Sequence, residues 1–259
     1  MRDPHTVGNG SSEWIEAQPE SSARSLNSSR HEFVARQSIF DQLGEVHGYE
    51  LLYRPGSQNR FFGQPDMATR RILGKYLLYG LGAVTGGCLT FVNCSREALV
   101  GGWISLLPRA TTIVELVGTV RPDDEVVDAC GSLKRMGYSI ALDDFQFSAE
   151  MQPLVELADY VKIDFRLPES VRRNTLRQLE SSRAKLVAEK VETEEELRAA
   201  FDEGFELFQG FFLEFPRMYS RCKRVNALER RSLPNAISWP EPQAAEAIGE
   251  VSGFRPALA

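Results

Sequence analysis

A chain of 259 residues is long enough for one large α/β domain, and 42% hydrophobic with 25% charged residues is ordinary globular material with enough apolar side chains for a full core. A net charge of −6 argues against a general DNA or RNA binder, which would show a basic face, but leaves room for a small anionic ligand held by one or two arginines. The four cysteines form no C-x-x-C pair, so neither a disulfide frame nor a zinc site is indicated. No apolar signal segment stands near the N-terminus, and the longest apolar run, Tyr76–Val84, is broken by glycine and too short for a bilayer. The expected setting is the cytoplasm, with no membrane.

In chain order, residues 1–31 are rich in Ser, Glu, Asn and Gly and read as a disordered leader. Residues 32–220 read as a barrel domain, and residues 221–259 as a basic helix and a flexible tail. Order begins with a strand at Glu32–Gln37, a turn at Asp41–Glu45 and a second strand at Val46–Tyr53. So short a link implies a hairpin, and hence an antiparallel pair. From Asp66 the period changes: Met67, Ile72, Leu73, Tyr76, Leu77 and Leu81 predict a long helix that ends at Gly86-Gly87. Strand and helix then alternate. Strands fall at Cys88–Val92, Thr111–Leu116, Tyr138–Leu142, Tyr160–Ile163, Lys185–Ala188 and Phe205–Phe208. Helices open at Arg96 and span Asp123–Met136, Met151–Leu157, Pro168–Glu180 and Thr193–Glu203. Met218–Arg231 reads as one basic helix.

A polar residue ends strand after strand: Glu50, Asn93, Glu115, Asp143-Asp144, Lys162 with Asp164, Glu189 and Gln209. Eight strands with intervening helices predict a TIM-like (β/α)8 barrel with an antiparallel first strand, whose strand ends converge on one rim. Taken singly, each residue says little. A strand-end glutamate is usually just solvated, Asp143-Asp144 can be an N-cap pair, and Lys162 can be a surface ion pair. Jointly they say more, because carboxylates gathered on one rim repel unless cations sit between them. Hard divalent ions such as Mg²⁺ or Mn²⁺ prefer oxygen ligands, and two of them can activate a water and stabilise a phosphoryl oxygen.

These residues fall into segments that resemble the EAL domain, a bacterial module that hydrolyses or senses cyclic di-GMP. The resemblance runs from about Phe33 to Pro216. E-A-L-x-R corresponds to Glu50-Leu51-Leu52-Tyr53-Arg54, and N-x-S to Asn93-Cys94-Ser95. E-x-T-E corresponds to Glu115-Leu116-Val117-Gly118, D-D-F to Asp143-Asp144-Phe145, and K-I-D to Lys162-Ile163-Asp164. E-G-V-E-T corresponds to Glu189-Lys190-Val191-Glu192-Thr193, and Q-G-Y to Gln209-Gly210-Phe211. The family's barrel also has its first strand antiparallel. The segments Arg36–Phe40 and Tyr49–Arg54 look most like the subgroup usually joined to an HDOD domain, and no such part follows in this chain.

The resemblance implies roles. Glu50, Asn93, Glu115 and Asp143 would hold one Mg²⁺ or Mn²⁺, and Asp143 with Asp144 would reach a second. Lys162 and Glu189 would position and deprotonate the attacking water, with Glu189 the general base. Gln209 and Asp164 would contact the substrate side, and Arg54 a phosphate. Its partners would be cyclic di-GMP and a second copy or a signalling protein. Two departures point toward weak hydrolysis, or toward a catalytically inactive cyclic di-GMP receptor or protein-interaction module. The loop after Asp144-Phe145 reads Gln146-Phe147-Ser148-Ala149-Glu150-Met151 and lacks the family's glycines, and Gly118 stands where the family has the glutamate that anchors this loop. Trp103 and Phe61-Phe62 read as packing residues, Cys94 as a buried thiol, and Arg221-Cys222-Lys223-Arg224 as a solvated helix face.

Overall fold

A computed structural model describes residues 13–16, 33–54 and 82–222. Glu13–Glu16 is β1, Phe33–Asp41 β2, Val46–Arg54 β3, Leu89–Cys94 β4 and Thr112–Leu116 β5. Ser139–Leu142 is β6, Tyr160–Asp164 β7, Lys185–Glu189 β8, Leu207–Phe208 β9 and Arg217–Cys222 β10. The helices are α1 (Gly82–Thr85), α2 (Arg96–Val100), α3 (Asp124–Met136), α4 (Gln152–Leu157), α5 (Glu169–Leu179) and α6 (Glu194–Asp202). The long helix expected over Met67–Leu81 and the pair Phe61-Phe62 lie outside the described residues.

β3 through β9 run parallel, each beside the next, and β2 closes the ring antiparallel to both β3 and β9. The eight-stranded TIM-like barrel with an antiparallel first strand is therefore the observed architecture. The β2–β3 hairpin is set by Asp41, whose side chain accepts from the backbone N–H groups of Leu43 and Glu45 at 2.9 Å each. The helix signals hold in detail. Asp123 caps α3 and Gly137 ends it at φ 90°, while Thr193 and Glu196 form a capping box on α6.

The strands' period of two builds two layers inside the ring. Ile39, Phe91, Ile113, Ala141, Tyr160, Val187 and Leu207 form one buried apolar cluster that fills the lower barrel. Two residues further along the parallel strands come Asn93, Glu115, Asp143, Lys162, Glu189 and Gln209. On β2, which runs the other way, Gln37 precedes Ile39 by the same step. The alternate residues Val92, Val114, Ile140, Val161, Ala188 and Phe208 belong to the second core, between barrel and helices. The apolar layer is thus the floor on which the polar residues stand.

Two segments depart from the sequence expectation. Arg217–Cys222 is a strand rather than the start of a basic helix, and Glu13–Glu16, placed in the disordered leader, pairs antiparallel with it. The cause is the edge left on β2. β9 pairs only with Phe40 and Asp41, so the groups from Phe33 to Arg36 are open to β10. Buried Tyr219 locks the pairing, with the Arg36 guanidinium 5.0 Å from its ring and 4.2 Å from that of Tyr49. Among the described residues no helix is long and apolar enough to cross a membrane.

Candidate metal and nucleotide site

Lys162 is the centre of the barrel mouth. Its side chain is fully buried, and four carboxylates surround its ammonium: Glu189 at 2.9 Å, Glu50 at 3.1 Å, Asp143 at 3.4 Å, and Glu115 in direct contact. Strands β3, β5, β7 and β8 supply four of these five groups. Asp143 follows β6, held in line because its N–H donates to the Leu116 carbonyl at 3.0 Å. Asn93 donates to Glu50 Oε1 at 3.1 Å, and Gln209 Nε2 to Glu50 Oε2 at 2.8 Å. The expected ligand set of Glu50, Asn93, Glu115 and Asp143 therefore meets at one point, together with Lys162, Glu189 and Gln209.

One ammonium cannot neutralise four carboxylates. Burial pushes Glu115 well above the usual carboxylate range, with Glu50 adding repulsion, and burial raises Glu189 to about 8 against the pull of Lys162. Burial acts on Glu50 too, but Lys162 and the hydrogen bonds from Gln209 and Asn93 outweigh it and hold its carboxyl below the ordinary value. Among the described residues, Glu115 Oε2, Glu189 Oε2 and Gln209 Oε1 are buried without a hydrogen-bond partner. Such atoms are costly unless something binds them.

Two carboxylate groups can hold a cation: Glu50, Glu115 and Glu189, and Asp143, Asp144 and Glu189. Within each, the oxygens lie within 4.8 Å of one another. Oxygen-only donors, excess negative charge and unpartnered buried oxygens fit hard divalent ions such as Mg²⁺ or Mn²⁺. Above them opens a cleft of roughly 300 Å³, lined in part by Gln37, Asp144, Arg166, Lys190 and Phe211.

The remaining expectations divide. Asp164 lies beside Glu189 in the β7–β8 register but does not touch Lys162. Arg166 and Lys190 hold it at 2.8 Å each, and they keep its carboxyl well below its normal range despite burial. Arg54 ends β3, and its side chain lies outside the described set. Trp103 sits in a short 3₁₀ turn after α2, on none of the strands that build the mouth. Cys94 is fully buried, and burial drives its thiol far up, so it is an inert thiol. Gly118 lies against the turn it was expected to influence: a Cβ there would stand 3.1 Å from the Asp143 carbonyl oxygen and 3.2 Å from Asp144 Cβ.

Sequence reasoning missed three residues. Gln37 accepts from Gln209 at 3.4 Å and donates to the Glu214 carbonyl at 3.1 Å. Its signal was the inverted direction of β2, which puts the polar residue before the apolar one. Arg166 carried no signal. Lys190 stands where the segment E-G-V-E-T has glycine, and it adopts a left-handed backbone at φ 56°.

The family model of the EAL domain matches residues 103–216. The chain is 34% identical over 196 residues to the YuxH protein of Bacillus subtilis, covering 73% of this chain and 48% of that one. It is 34% identical over 192 residues to the cyclic di-GMP phosphodiesterase CdgJ of Vibrio cholerae, covering 72% and 44%. The chain thus spans about half the length of these relatives. Its fold is similar to that of the Bacillus subtilis YkuI protein, solved with an EAL domain, its substrate c-di-GMP and calcium, at a TM-score of 0.60 and 20% identity over 76% of this chain and 56% of that one.

Proposed function

The chain carries an EAL domain, and we propose that its barrel mouth binds cyclic di-GMP over divalent cations and hydrolyses it slowly to the linear dinucleotide. The observation that carries this is the set of four carboxylates around Lys162, with two of their oxygens unpartnered in the barrel's interior.

Glu50, Asn93, Glu115 and Asp143 would hold one ion, and Asp143 with Asp144 a second; bound there, Mg²⁺ or Mn²⁺ supplies Lewis acidity and neutralises charge on the phosphoryl oxygens. The chain's own groups do the rest. Glu189, raised toward neutral pH by burial, takes the proton of the attacking water. The water oxygen bonds to phosphorus, the bond to the ribose oxygen breaks, and that oxygen takes a proton from solvent. Lys162 keeps the carboxylates together and orients Glu189, 2.9 Å away. Gln209 positions the reacting side through Glu50, and Arg54 and Asp164 would contact the substrate.

The test is incubation of the purified chain with cyclic di-GMP and Mg²⁺ or Mn²⁺. Linear dinucleotide should form slowly with the native chain and not with Glu50→Ala. No product above that control rejects hydrolysis. A second reading, a receptor that binds without cleaving, is favoured by the contact of Lys190 with Asp144 and by the glycine-free loop after Phe145.

Membership of the HDOD-linked subgroup, pairing with a second copy or a signalling protein, and a cytoplasmic setting belong to the same proposal. The segments Arg36–Phe40 and Tyr49–Arg54 support the first, and the free thiols of Cys88, Cys94 and Cys130 the last.

A further inference from the structure

The two carboxylate groups differ in their charge. Around Lys162, four carboxylates face one cation, and Glu115 Oε2 and Glu189 Oε2 have no partner. At the outer edge, two carboxylates, Asp144 and Asp164, face two cations, Lys190 and Arg166. Lys190 Nζ touches Asp144 Oδ1 and lies 2.8 Å from Asp164 Oδ2, where Arg166 also sits at 2.8 Å. The inner group has lone pairs left for an ion, whereas Asp144, the member of the outer group that Lys162 does not reach, is already paired with Lys190.

The backbone is shaped for that contact at both ends. Asp144 has φ 47° and Lys190 φ 56°, the only non-glycine residues among those described with positive φ. Left-handed backbone at such residues is strained and persists only where surroundings impose it. Here the surroundings are clear. Phe145 N–H donates to the Lys162 carbonyl at 2.9 Å, fixing one turn, and Val191 N–H donates to the Gln209 carbonyl at 3.1 Å, fixing the other.

We propose that the Lys190 ammonium takes the place of the second ion ascribed above to Asp143 and Asp144, so that the chain binds a single divalent ion, the one held by Glu50, Asn93, Glu115 and Asp143. The inference rests on the cation site of the preceding subsection. It supplies a cause for slow turnover: a tethered single charge reaches the position where a divalent ion would act, but offers no Lewis acid. Lys190 is in this sense a positioning residue, not a catalytic one.

The experiment counts Mn²⁺ bound per chain, by calorimetric titration and by loss of the free-ion paramagnetic resonance signal. The native chain is compared with Lys190→Gly and Lys190→Asn. Both substitutes tolerate positive φ, so both should fold, and melting curves check this. The native chain should take up one Mn²⁺ and each variant two, the second with an affinity at least about tenfold above any residual second binding in the native chain. A native stoichiometry other than one, or variants that stay at one, overturns the inference. No Mn²⁺ bound by native chain or variants would sink the cation-site reading itself, which is a different result from two ions bound by the native chain.

Discussion

Lys162→Met is expected to lower the melting temperature of the metal-free protein by roughly 6–20 °C. Removing one partner of a buried ion pair costs about 3–5 kcal/mol, because the other partner is left charged and unpaired, and each kcal/mol moves the midpoint of a domain this size by about 2–4 °C. Four carboxylates lose their shared cation here, and Glu115 has no exposure to water. Two further results separate this cause from simple loss of packing. Added Mn²⁺ should restore more stability to the variant than it adds to the native chain, since the ion then supplies the only positive charge at that point. Lys162→Met combined with Glu115→Gln should melt higher than Lys162→Met alone, because a fully buried carboxyl group left without its cation is gone. A single variant that melts within about 2 °C of the native chain would show that the buried cluster is not held by its lysine.

Gly210→Ala should cost about 3 kcal/mol, at the upper end for an added methyl group. A Cβ at Gly210 would stand 2.1 Å from the Val191 carbonyl oxygen and 2.3 Å from its nitrogen. Both atoms are backbone, and both are tied: Val191 N–H donates to the Gln209 carbonyl, and the Val191 carbonyl accepts from Phe212 N–H, each at 3.1 Å. The strain is relieved only by moving Gln209 away from Glu50 or by moving the turn that carries Glu189 and Lys190. Stability in urea and Mn²⁺ affinity should therefore fall together. Gly204→Ala is the comparison. Gly204 has φ 86° and open space around its Cβ direction, so that change meets only the left-handed penalty of about 1–2 kcal/mol and leaves Mn²⁺ binding alone. Equal losses in the two variants, with Mn²⁺ affinity untouched in both, would remove the close approach of Gly210 to Val191 as a determinant of the site.

Much of the barrel was legible because its chemistry follows the strand period. Phe91 and Asn93, Ile113 and Glu115, Tyr160 and Lys162, Val187 and Glu189, Leu207 and Gln209 are each two residues apart, one apolar and one polar. That spacing puts one side chain in the barrel floor and the next at its mouth, so the polar residues could be found as strand endings. The short turn at Asp41–Glu45 made the first pair antiparallel by length alone. Gln37 was hidden because its strand runs backward relative to the rest. β10 was hidden because its alternation is short and charged, and its pairing depends on an edge of β2 that no local pattern announces. Lys190 was legible only as a change of residue type. Its meaning lies in the partners that the left-handed turn brings to it, and these come from the turn after β6 and the end of β7, far away in the sequence.

The most direct measurement is calorimetric titration of cyclic di-GMP into the native chain, once with Mn²⁺ and once with the ion removed by chelation, alongside Glu115→Gln. Binding should be clear with Mn²⁺ and at least about tenfold weaker without it, and the variant should fold yet lose the dependence on the ion. Absence of heat with Mn²⁺ at high nucleotide concentration, or equal affinity with and without the ion, would contradict a barrel mouth built to hold cyclic di-GMP over a divalent cation.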